Sequence, residues 1–145
     1  MNIFFADNND LYKKSFINVC SEFNELDDDG IATVDVLIVD GGASIERFRS
    51  RFVNTCFCPS TRYFDVISSM RVKSAVSCGM CEKDSVTFSS IGENHAMVCL
   101  KRNIFFLNSE FEPCEFRVNF DRTKGLYSNL ALGTLEYFVK KFGES

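Results

Sequence analysis

Apolar and polar positions follow two different periods along this chain. Asn2 to Ala6 is a short apolar run, the pattern of a strand. Tyr12, Phe16, Val19, Cys20 and Phe23 then recur at helical spacing, with Lys13, Lys14, Asn18 and Ser21 on the other side and Ile17 as an imperfection. Asn8, Asn9 or Asp10 can cap that predicted helix. Val34 to Asp40 is a β-branched run suited to a strand, and Gly41-Gly42 after it signals a two-residue hairpin. Beyond the glycines, Arg47, Arg49 and Arg51 alternate with Phe48, Ser50 and Phe52. Period two predicts a strand with arginines on one face and rings on the other, and a helix through Ile45, Phe48 and Phe52 competes with it.

Ile67 to Cys78 reads as a helix with Ser68 or Ser69 near its start. Short strands follow, one through Val86 and Phe88, one from Ala96 to Leu100, one from Ile104 to Leu107. Gly92-Glu93-Asn94 and Lys101-Arg102-Asn103 are the predicted turns between them. Phe116, Val118 and Phe120 alternate with Glu115, Arg117 and Asn119, as in a half-buried strand. The chain closes with a helix capped by Ser128 or Asn129, with Ala131, Leu135, Phe138, Val139 and Phe142 as its apolar stripe. Lys140 and Lys141 suit its last turn and Gly143 its C′ position. Hairpin signals and short connections predict an α+β fold, a largely antiparallel sheet with two to three helices, in one domain over residues 1–145.

Composition narrows the picture. An apolar fraction of 46% argues against disorder, and sixteen Phe with no Trp predict a core built on phenylalanine. No run approaches the roughly 18 apolar residues of a membrane span. The N-terminus lacks a basic start and a long apolar stretch, so the expected location is intracellular, in nucleus or cytoplasm. Seven Cys in a reducing compartment are thiols or metal ligands rather than disulfides. A net charge of −4 opposes a generally basic, nucleic-acid-coating protein but leaves room for a local basic face.

Several groupings could carry chemistry. Cys56, Cys58, Cys78 and Cys81 form a C-x-C and a C-x-x-C, and four thiolates suit tetrahedral zinc. Buried, unliganded thiols are the plainer reading of the same residues. Asp7, Asp10 and Asp40 loosely resemble the acidic cluster of a receiver domain, although capping and turn formation account for them. His95 is the single histidine and has no assignable nucleophile, and neither a G-x-G-x-x-G nor a P-loop is present. No catalytic residue is therefore expected. The basic groups are Lys13 and Lys14, then Arg47, Arg49 and Arg51, then Arg71 and Lys73. Each could touch phosphate, and each alone also reads as a solvated face.

Phe4-Phe5-Ala6, Leu11-Tyr12-Lys13-Lys14 and Phe23-Asn24-Glu25 resemble the first strand and helix of a sliding-clamp domain of the proliferating cell nuclear antigen type. Val39-Asp40-Gly41-Gly42-Ala43 is similar to that family's Met-Asp-Ser-Ser turn. Ile67-Ser68-Ser69-Met70 is similar to the start of its second helix, and Lys83 to Glu93 to the strand pair after it. In a second register, Pro59-Ser60 through Glu93 resembles the start of the family's second domain. The chain has room for one clamp domain, whereas a protomer of that type carries two. The resemblance implies a non-enzymatic DNA polymerase processivity factor and a homo-oligomer with protein partners. It also implies that Lys13, Lys14, Arg71 and Lys73 face double-stranded DNA from helices and contact phosphate without reading sequence. The alternatives are a zinc-stabilised interaction module and a small adaptor or inhibitor.

Overall fold

The computed structural model describes residues 2–6 and 33–144. The helix predicted from Tyr12 to Phe23, with Lys13 and Lys14, lies outside the described residues, as do Asp7, Asp10 and Cys20. β-branched side chains disfavour the helical backbone and pack well on a pleated surface. Accordingly the runs around Val34, Val53 and Val72 are the central strands β2 (Thr33–Val39), β3 (Phe52–Pro59) and β4 (Arg71–Cys78). β1 (Ile3–Ala6) lies beside β2. β5 (Val86–Ile91), β6 (His95–Leu100) and β9 (Cys114–Asn119) extend the sheet on the far side of β4. Between β6 and β9, β7 (Ile104–Phe106) and β8 (Ser109–Phe111) form a separate hairpin. The described helices are α1 (Tyr63–Ser69) and α2 (Leu126–Glu144).

The coarse α+β class is as expected, but the pairing is not largely antiparallel. Among the described residues β1 through β5 are neighbours in chain order and pair in parallel, and in the main sheet only β5–β6 and β6–β9 are antiparallel. Gly41-Gly42 is thus a turn into a crossover, not a hairpin. Val34 pairs with Val53 and Val53 with Val72, while Ile38 pairs with Phe57 and Phe57 with Val76. These two steps, β2 to β3 and β3 to β4, advance the chain by the same length, whereas the β1–β2 and β4–β5 steps do not. Both connections pack on one face, through Ile45 and Phe48 and through Val66 and Met70, and return the chain to the starting end of the sheet, as parallel pairing requires.

Two predicted segments change type. Glu46–Phe48 is a 3-10 turn, and β3 begins at Phe52, so the alternating arginines are not on a strand. Ile45 and Phe48 do turn inward, as the competing helical reading required, but Phe52, its third member, opens β3 and is half exposed. Ile67–Ser69 is the end of α1 rather than a beginning, and Arg71–Cys78 is a strand. Val72 and Val76 at helical spacing were equally compatible with a buried strand, and the parallel partner β3 decided it.

The sheet separates two cores. On one face Ile38, Phe57, Val76, Val86, Val98 and Phe116 meet Leu130, Leu135 and Phe138 of α2. Phe106 of the β7–β8 hairpin joins them, its ring centroid 5.3 Å from that of Phe138. On the other face Leu37, Val39, Val53, Cys56 and Cys58 pack with Ile45, Phe48, Val66 and Met70. The strand ends between these layers carry polar groups.

Candidate nucleic-acid interface and a polar cleft

Basic residues gather at the N-terminal ends of β3 and β4. The backbone N–H of Arg71 bonds to the carbonyl of Arg51 at 3.0 Å, and Arg71 pairs with Phe52. The Arg51 guanidinium turns back to the Arg47 carbonyl at 3.0 Å. Arg49 stands on the same short connection, 3.5 Å from Glu46 with both side chains well exposed. Between Arg49 and Arg51, Ser50 takes a left-handed backbone with φ 61°, which sets the sharp turn into β3. Lys73 follows along β4 with its ammonium 6.0 Å from the Phe105 ring centre. Phe52 and Phe105 are each about half exposed, at 48% and 45%. Arg71 and Lys73 thus stand beside two solvent-facing rings, and Arg47, Arg49 and Arg51 lie on the adjoining connection into β3.

Sequence had placed Arg71 and Lys73 on a helix. The structure puts them on a strand and brings them beside the 47–51 arginines, which the sequence treated as a separate group. The signal that would have joined them is the equal spacing of Val34, Val53 and Val72.

The opposite, C-terminal strand ends form a polar cleft of about 450 Å³ lined by Ser60, Tyr63, Ser77, Lys83, Asp84 and Arg102, among others. Asp84 is 2% exposed. Its carboxylate accepts the Ser60 hydroxyl at 2.6 Å and the Cys81 backbone N–H at 2.9 Å. A Cβ at Gly79 would overlap both Ser60 Oγ and Asp84, so glycine permits the contact. Arg62 donates to the carbonyls of Asp40, Gly41 and Ala43 at 3.3, 3.2 and 2.7 Å, tying the β2–β3 crossover to α1. Tyr127, at the start of α2, donates its hydroxyl to the Val39 carbonyl at 2.6 Å. None of Ser60, Arg62, Asp84 or Tyr127 stood out in the sequence, because parallel strand ends are invisible until the strand order is known.

The four candidate thiols divide between the faces of the sheet. Cys56 and Cys58 point into the α1-side core, Cys78 into the α2-side core, and Cys81 is exposed. Among the described residues no group of three or more His, Cys, Asp or Glu stands together as a metal site. Burial pushes the Cys56 and Cys78 thiols well up. The Cys58 thiol is pushed up to about 12, by burial first and by Asp84 second, with Arg62 opposing. Such thiols stay protonated and unreactive near neutrality. Asp40 lies just beyond β2, donor of its N–H to the Ala6 carbonyl, and His95 opens β6 on the surface.

Exposed apolar side chains also occur on α1, where Phe64 is 75% exposed and Ile67 one turn on is 45% exposed. Among the described residues no helix is long and apolar enough to cross a membrane. Against protein-family profiles, curated proteins and solved structures, the chain finds no match.

Proposed function

We propose that this chain is a non-enzymatic DNA-associated protein that holds the phosphate backbone on the basic rim of β3 and β4. The observation that carries this reading is the placement of Arg71 and Lys73 beside exposed Phe52 and Phe105, with Arg47, Arg49 and Arg51 on the adjoining connection into β3. Cations neutralise phosphates irrespective of sequence, and exposed rings offer faces on which bases or sugars can lie. An overall charge of −4 keeps that attraction local to the rim. Polymerase processivity, with copies closing around the duplex, is the strongest form of this role and draws on the clamp resemblance. Retention on circular but not linear DNA at raised salt tests that form.

The direct test is fluorescence anisotropy with a short labelled duplex over a salt series. The wild-type protein should bind at low salt, with affinity falling as salt rises. The triple variant Arg49→Glu, Arg71→Glu, Lys73→Glu should lose about tenfold or more, because several phosphate contacts become repulsive. Undiminished binding by that variant, or no binding by the wild type at low salt, would end the proposal. A second reading, a protein-docking adaptor, rests on the exposure of Phe64 and Ile67 on α1. It predicts that Phe64→Ser raises solubility without changing DNA affinity.

A further inference from the structure

The sheet ends at β9. Phe120 donates its backbone N–H to the Asn94 carbonyl at 2.9 Å, and Val118 and Phe116 pair with Ala96 and Val98 of β6. Backbone direction alternates residue by residue in an antiparallel ladder. Phe116, Val118 and Phe120 therefore turn their N–H and C=O groups toward β6, and Glu115, Arg117 and Asn119 turn theirs outward. Among the described residues no strand takes the outward groups.

Charges on an edge ordinarily discourage pairing. Here they are of both signs and are arranged so that the strand complements itself. In an antiparallel pair with its own copy, outward-facing residues must meet outward-facing residues. Centring that pair on Phe116 sets Glu115 opposite Arg117, twice. The neighbouring allowed registers centre on Glu115 or Arg117 and oppose like charges, which is unfavourable. On the inner side, Phe116 stacks on Tyr137 of α2 with ring centroids 3.9 Å apart and planes 4° apart. Clefts of about 290 and 430 Å³ lie along this edge between β9 and α2, one reaching Glu136 and Lys140 and the other Glu110 and Lys141. Glu136 and Lys140 are one helical turn apart on α2.

We propose that β9 is the interface with a second copy of this chain, joined two-fold about Phe116 into one continuous sheet. Such a contact is isologous, so each charge pair occurs twice. Sedimentation equilibrium over a concentration series tests it with three proteins. Wild type should dimerise. Glu115→Arg and Arg117→Glu should each raise the dissociation constant about tenfold or more, since both pairs become repulsive. An equimolar mixture of the two single variants should recover a one-to-one dimer, because opposite charges again face each other. Both side chains are exposed, so circular dichroism melts of the variants should match the wild type. A wild type that sediments as a monomer throughout overturns the proposal. So does a mixture that fails to recover the dimer, or a monomer that takes an unrelated extended peptide along β9.

Discussion

Asn129 holds the junction into α2. Its amide donates to the carbonyls of Asp121, Lys124 and Gly125, and its side-chain oxygen accepts the Asp121 N–H at 2.9 Å. Sequence named it as a cap, and it works instead from inside the first turn, fixing the loop that precedes Leu126. Asp121 is held below the ordinary carboxylate range by the Thr123 hydroxyl and N–H. Thr134 is the opposite case. Its hydroxyl is fully buried and has no partner among the described residues. A buried hydroxyl without a hydrogen bond costs its desolvation and returns nothing. Thr134→Val should therefore raise stability by up to about 1 kcal/mol in urea unfolding. A loss of that size instead would mean the hydroxyl is bonded.

At the scale of elements, α2 and β9 meet unusually closely. A Cβ at Gly133 would come within 2.7 Å of Val118 Cγ1 and 2.9 Å of Val118 Cβ. Val118 is β-branched and sits in a strand, so it has little room to turn away. Gly133→Ala gains helix propensity of about 1 kcal/mol. Overpacking a close interface costs about 1–3 kcal/mol. The net expectation is destabilisation by about 1 kcal/mol, read as a lower urea midpoint. An increase would show that the helix can shift off the sheet. The elements themselves were partly legible. β2, β6 and β9 fall where the pattern puts them, and α2 keeps its predicted apolar stripe but begins at Leu126, ahead of the predicted cap, and runs through Gly143. Residues 67–78 do not fall where the pattern puts them, because Val72 and Val76 satisfy a helix and a buried strand alike.

For the whole molecule, the buried thiols and Tyr127 set an alkaline limit. Burial raises Cys56, Cys58, Cys78 and Tyr127, the last well above its usual 10.0. The folded state thus holds these protons more tightly than the unfolded chain. The Cys58 contribution is full below the ordinary thiol value of 9.0 and is lost as pH climbs from there toward about 12, and those of Cys56, Cys78 and Tyr127 are lost in the same direction. Chemical denaturation at stepped pH should show a plateau near neutrality and a fall above about 9. In native protein at neutral pH, a thiol reagent should reach exposed Cys81 well before Cys56, Cys58 or Cys78. Flat stability to strong alkali would contradict the burial of these groups. The rim and β9 act at this scale too: reversing rim charges should leave the dimer intact.

Local patterning by itself determined the phenylalanine core, the closing helix, the strands around Val36, Val98 and Val118, and the α+β class. These follow from short-range periodicity, which a chain carries whatever its neighbours. Strand direction and partner choice required the tertiary structure, because a strand's own residues do not say whether its neighbour runs with or against it. That choice gathered the Arg47, Arg49, Arg51, Arg71 and Lys73 rim, sent Cys56 and Cys78 to opposite faces, buried Asp84 at the strand ends and left β9 at the edge. Such placements depend on which distant segments lie side by side, a property of the packed sheet rather than of any one stretch of chain.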